Sequence, residues 1–131
     1  MIVDTSAIIA ILKGEPERSS FLQSILDSPA PRMSAANYLE AALVVDNLAD
    51  PVMSRRLDEL LEALGIQVAD ITAEHARIAR AAYRDFGRGS GHAAGLNFAD
   101  CFAYALAAQT DEPLLFKGDD FRHTDLKPAT S

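Results

Sequence analysis

Apolar positions along the chain fall into short unbroken runs, separated by longer stretches in which they recur every three or four residues. Met1 to Asp4 is the first run and reads as the start of a buried strand, after which Ser6 is placed to cap a helix through Leu12. Glu15 opens an amphipathic helix with Phe21, Leu22, Ile25 and Leu26 on its apolar side, and Pro29 and Pro31 end it. Arg32 and Met33 make a minimal strand, and Ser34 caps a long helix, SAANYLEAALVVDNL. Asp50-Pro51 starts another helix that runs to about Leu64 and stops at Gly65. Ile66 to Ile71 reads as a strand, Thr72 to Phe86 as a helix, and GRGSGHAAG as a flexible loop. Asn97 to Gln109 is a further helix, and Pro113 to Phe116 is the last buried strand. Short apolar strands alternating with helices predict an α/β fold with a mostly parallel central sheet and helices on both faces.

Composition narrows the class without choosing a function. At 131 residues the chain has the size of one domain, so a single unit over 1–131 is expected. No apolar run reaches the roughly 20 residues of a membrane span. The start lacks the basic region of a signal peptide, and the lone Cys101 excludes an internal disulfide. These features together predict a cytoplasmic protein. A net charge of −7 argues against a polyanionic partner only on average, since a metal-dependent nuclease also concentrates carboxylates.

Four acids stand where apolar residues are expected. Asp4 is the only charged residue among the first twelve. Glu40 is the only charge between Arg32 and Asp46, on a helical face with Ala36, Leu43 and Val44. Asp100 is the only formally charged side chain between Arg88 and Asp111, and Asp119 follows PLLFKG at the end of a strand, with Asp120 as its adjacent alternative. Each has a plain structural role open to it. Asp4 can cap the helix it precedes, Asp100 can form a capping box with Asn97, Glu40 can pair internally with an arginine or lie on an exposed edge of its helix, and Asp119 and Asp120 can be turn residues. Their shared address changes the weighing. Sites in open parallel sheets form beyond the carboxyl ends of the strands, where Asp4 and Asp119 both lie. Carboxylates gathered there repel one another, and a divalent cation relieves the repulsion. An all-oxygen site suits Mg²⁺ or Mn²⁺, whereas His75, His92, His123 and Cys101 show no zinc-ligand spacing. Such sites perform phosphoryl chemistry.

MIVDTSAII, the isolated Glu40, NFADCFAYALA and LLFKGDDF together resemble the PIN-domain ribonucleases, and more narrowly the VapC toxins of bacterial type II toxin–antitoxin pairs. The resemblance covers essentially the whole chain in order and spacing. It implies a PIN-like three-layer α/β/α domain with four or five strands, and a Mg²⁺- or Mn²⁺-dependent endoribonuclease acting on tRNA or ribosomal RNA. Asp4 and Asp100 would be the principal metal ligands, Asp119 would ligate directly or through water, and Glu40 would help activate the attacking water. Ser6 and Asn97 match accessory polar positions. The family further implies a cognate antitoxin that blocks the site, and toxin homodimers. One departure stands out. Many PIN domains carry Ser or Thr two residues before the last Asp, and this chain has Lys117 there, which would contact the scissile phosphate instead.

Arg77, Arg80 and Arg84 fall on one helical stripe that Arg88 continues, opposite Ile71, His75, Ile78, Ala79, Ala82 and Phe86. Four of the twelve basic side chains therefore line one path into the glycine-rich loop, placed to follow an RNA backbone or to hold the antitoxin. His75 reads as a packed histidine, Cys101 as small core filler, and Tyr38, Leu39, Leu43 and Val52 to Leu64 as core or partner surface. Two rival chemistries lack key residues. A haloacid-dehalogenase-like phosphatase needs a second Asp where Ser6 stands, and a receiver-like phosphoacceptor needs paired acids after the first strand. A non-catalytic relative would be expected to have lost some of the four acids.

Overall fold

The computed structural model describes residues 1–130, and its centre is one sheet of four short parallel strands. β1 (Ile2–Val3) and β4 (Leu114–Leu115) are the shortest, with β2 (Arg32–Ser34) and β3 (Gln67–Ala69) slightly longer. The helices are α1 (Thr5–Leu12), α2 (Arg18–Asp27), α3 (Ala35–Asp46), α4 (Pro51–Ala63), α5 (Ala73–Phe86) and α6 (Phe98–Thr110). Strand side chains alternate between two cores. Ile2 and Leu114 pack with α5 and α6, while Val3, Met33 and Leu115 pack with α1, α2, α3 and α4. That is the expected three-layer α/β/α arrangement, and it explains why β1 and β4 are apolar without alternation.

The strands lie in the order β3-β2-β1-β4. Successive connections carry the chain one way from β1 to β3, and β4 then returns to the far side of β1. The direction therefore reverses between β1 and β4, and the crevice beyond their carboxyl ends is where this topology leaves room for a ligand. Both strands are anchored from the opposite end. The Met1 ammonium donates to Glu112 Oε1 at 2.7 Å, and Arg32 from β2 pairs with Glu112 Oε2. Burial alone would raise the Glu112 carboxyl, but the ammonium, Thr110 and Arg32 together bring it down to about 2.

Several elements differ in detail from the sequence reading. α1 is capped by Asp4, not Ser6, and the Ser6 amide donates back to Asp4 Oδ2 at 3.0 Å. α2 begins at Arg18 and not Glu15, because Glu15 to Arg18 first makes a turn that presents Glu15 and Glu17 to Lys117. Leu26 is exposed at the far end of that helix. The buried stripe of α3 is Asn37, Ala41 and Val45, so Leu43 and Val44 are exposed and Glu40 lies off the core face. α3 is apolar nearly all round, and only packing could reveal which stripe is covered. GRGSGHAAG is not a plain loop: Arg88–Ser90 is a 3₁₀ turn, and Gly87 bridges to Leu96.

Candidate active site

Asp4 leaves β1 and enters α1 with only 3% of its surface exposed. Its Oδ2 accepts from the Ser6 hydroxyl at 2.6 Å and from the Ser6 amide at 3.0 Å. The Ser6 hydroxyl oxygen in turn accepts from the Lys117 amide, just past β4, at 2.9 Å. This chain of bonds ties the ends of β1 and β4 together through one carboxylate oxygen. The other oxygen, Oδ1, is buried and has no hydrogen-bond partner. Burial is the main reason the Asp4 carboxyl rises from 3.8 to about 7; the Ser6 bonds oppose the rise, and the charges of Asp100 and Glu40 add to it.

Asp100 arrives from the other layer. Asn97 caps α6 by accepting the Asp100 amide at 2.8 Å, and Asp100 Oδ2 accepts the Asn97 amide at 3.0 Å. The capping box and the site are thus one structure: the box fixes the carboxylate at the first turn of α6. Asp100 is also raised, by burial first, then by Asp120 and Glu40, against the Asn97 amide and the cation of Arg88. Asp4, Ser6, Glu40, Asn97, Asp100 and Lys117 line one cavity of about 410 Å³.

Asp119 does not join them. Its side chain is 85% exposed and faces Arg122 at 3.8 Å; Asp120 is exposed as well and also stays outside the cavity lining, although its charge is one of those that raise Asp100. Glu15, which the sequence placed at a helix start, lines the cavity and holds Lys117 Nζ at 3.1 Å, with Glu17 at 3.4 Å. Nothing in the spacing of Glu15 marks it, because its partner is 102 residues away. Asn37 was also missed. It is fully buried, its amide donates to the Ala99 carbonyl at 3.1 Å, and its own carbonyl accepts from Thr5 at 3.0 Å, joining α1, α3 and α6 behind the site.

Of the arginine stripe, Arg77 and Arg80 make no ion pair among the described residues, while Arg84 is engaged by Asp85 at 3.0 Å. His75 is packed as expected, its Nδ1 accepting from the Thr72 amide and its Nε2 facing Gln109 at 2.9 Å. Cys101 is buried, and burial then Asp100 push its thiol up to about 11, which leaves it protonated and inert.

Among the described residues no three acid, histidine or cysteine side chains form a ready metal cage as they lie. A hard cation such as Mg²⁺ needs only one or two protein carboxylates and keeps several waters. The unpartnered Oδ1 of Asp4, beside the raised Asp100 carboxyl, fits that requirement.

A parallel α/β/α sheet with acids gathered beyond its reversing strands defines the PIN class, and the PIN domain family model matches residues 1–127: the chain belongs to that family. The particular members it resembles are VapC ribonucleases. It is 55% identical to Ribonuclease VapC28 of Mycobacterium tuberculosis over 98% of this chain and 97% of that one. It is 53% identical to Ribonuclease VapC42 of the same species over 98% of each. Among solved structures, the Mycobacterium tuberculosis VapC20 toxin, described as cleaving the sarcin–ricin loop, superposes with a TM-score of 0.71 at 16% identity over 95% of both chains. A toxin–antitoxin complex from Klebsiella pneumoniae superposes with a TM-score of 0.70 at 17% identity, over 92% of this chain and 88% of that one.

Proposed function

We propose that this chain is a divalent-metal-dependent endoribonuclease toxin, using Mg²⁺ or Mn²⁺, that cuts tRNA or ribosomal RNA and is held inactive by a cognate antitoxin. The observation that carries the reading is Asp4: a buried carboxylate with one oxygen fixed by Ser6 and the other without a partner, in a chain 55% identical to a VapC ribonuclease. Asp4 and Asp100 would hold the cation, with Asp120 in the part first given to Asp119. The bound metal supplies polarisation of the phosphoryl oxygen and a water of lowered pKa. Ser6, steadied by the Lys117 amide, keeps the Asp4 carboxylate oriented. Asn97 does the same for Asp100 through the α6 cap. Glu40, on the cavity wall, is placed to accept a proton from the attacking water at its carboxylate. Lys117, its Nζ balanced between Glu15 and Glu17, lines the cavity and would contact the scissile phosphate.

Among the described residues no helix is long and apolar enough to cross a membrane, and the reading places the chain in the cytoplasm beside its RNA. A toxin–antitoxin hetero-oligomer belongs to the same reading, supported by the likeness to a solved toxin–antitoxin complex, and homodimers are part of the proposal. The phosphatase and phosphoacceptor alternatives are not favoured: Ser6 occupies the position where the former needs a second Asp, and it is committed to Asp4. The test is incubation of the purified chain with total RNA in EDTA, Mg²⁺ or Mn²⁺. Discrete fragments that require the metal are expected, and intact RNA in every condition refutes the reading.

A further inference from the structure

A second crevice lies between α5 and α6, on the same side of α6 as the arginine stripe. It encloses about 260 Å³ and is walled by Ala79, Arg80, Tyr83, Phe98, Cys101 and Phe102. Phe98, the first residue of α6, is 76% exposed, the most of any large apolar side chain in the described structure. Its ring meets Phe102 edge-on at 5.0 Å, and Tyr83 across the crevice is also exposed. An aromatic ring this exposed at a helix start leaves most of its transfer free energy unrealised despite the Phe102 contact. Its sequence neighbours sharpen the point, since Asn97 and Asp100 on either side of it belong to the acidic cavity.

We propose that this crevice receives one unstacked nucleobase of the RNA substrate, stacked on Phe98 with Arg80 above the adjoining phosphate. The inference rests on the ribonuclease reading and deepens it by naming how the substrate is held beside the cut. The volume is below the roughly 300–1,000 Å³ of whole-ligand pockets, which suits one flat ring system entering from an extended strand. Charge complementarity selects the occupant. The wall is apolar, its one charged member is Arg80, which makes no ion pair among the described residues, and Arg77 follows one helical turn away. Arg88, in the 3₁₀ turn just past α5, is a cation whose charge acts on Asp100. An aromatic platform flanked by arginines that lead toward a metal site is the pattern that single-stranded RNA recognises: bases stack, and phosphates follow the cations. An apolar protein segment would need no such cations.

The test measures binding in EDTA, where no cleavage occurs, of a short single-stranded RNA of mixed sequence and of a ribose-phosphate strand of equal length without bases. Phe98→Ala should raise the Kd for the RNA roughly tenfold, the loss of one base–aromatic stack, and leave the abasic strand unaffected. Phe98→Trp should restore binding, and Arg80→Ala should weaken both strands. Equal RNA binding by Phe98→Ala and the parent overturns the proposal. So does an equal loss on the abasic strand, or a Phe98→Ala protein that sediments as a smaller species, which would make the crevice an interface between copies of this chain. Cleavage by the parent in Mg²⁺ is read separately. If the parent cuts nothing yet binds RNA through Phe98, the ribonuclease reading fails and the crevice stands; if the parent cuts and Phe98→Ala matches it throughout, only the crevice fails.

Discussion

Replacing Asp4 by Asn should stabilise the metal-free protein while destroying the site. The Asp4 carboxyl is raised from 3.8 to about 7, mainly by burial. Between those values the folded state keeps a proton that the unfolded chain has released, so stability falls as pH rises through the window and levels off above about 7. The full rise corresponds to about 4 kcal/mol at about 1.4 kcal/mol per pH unit. Asn keeps an acceptor for Ser6 and remains a good helix cap, but its amide group must sit where Oδ1 lacks a partner, which returns part of the gain. A net stabilisation of roughly 2–3 kcal/mol is therefore expected at pH 8, shrinking toward zero at pH 4. Urea unfolding in EDTA, followed by circular dichroism, should show this as a midpoint about 1–2 M higher for the variant at pH 8. Adding Mg²⁺ should then raise the midpoint of the parent and not that of Asp4→Asn. A variant no more stable than the parent at pH 8, or a difference that does not change between pH 4 and pH 8, refutes the reasoning and leaves Asp4 as a helix cap only.

Other outcomes follow from single observations. Asp120→Asn should lower the RNA cleavage rate by about tenfold or more, whereas Asp119→Asn, altering an exposed partner of Arg122, should leave it nearly unchanged in the same assay. Glu112→Gln should cost roughly 1–2 kcal/mol at pH 7 after solvent screening, because the depressed carboxyl contributes stability that is present above its unfolded value of 4.5 and lost as pH falls through about 2; the difference in urea midpoint between parent and variant should therefore be largest at pH 7, smaller at pH 3, and gone only below about pH 2. A Cβ on Gly87 would meet the Tyr83 carbonyl oxygen at 2.2 Å, so Gly87→Ala should shift the end of α5, lower the melting temperature, and weaken RNA binding by displacing Arg88.

Much of the fold was legible because its signals are local. Apolar runs marked the strands, and Ser34, Asp50, Thr72 and Asn97 marked four helix starts that the structure keeps. Element edges that answer to distant partners were not legible. The turn at Glu15 to Arg18 exists beside Lys117, and the buried stripe of α3 is chosen by α1 and α6 through Asn37. The acids show the same division. Asp4 and Asp100 stood out as lone charges among apolar residues, and the cavity brings them together with Glu40. Asp119 and Asp120 are identical, exposed side chains on adjacent residues, and they differ in partner: Asp119 faces Arg122, whereas the charge of Asp120 acts on Asp100. Capping and catalysis looked like competing explanations for Asp4 and Asp100. In the structure the caps are what aim the carboxylates.

The central claim is that Asp4 serves a cation that cuts RNA, and mapping the 5′ ends of RNA treated with the parent and with Asp4→Asn tests it most directly. A small set of metal-dependent ends is expected with the parent, and none with a variant that is folded and at least as stable. Ends that persist in EDTA, or that Asp4→Asn produces at the parent's rate, would contradict it.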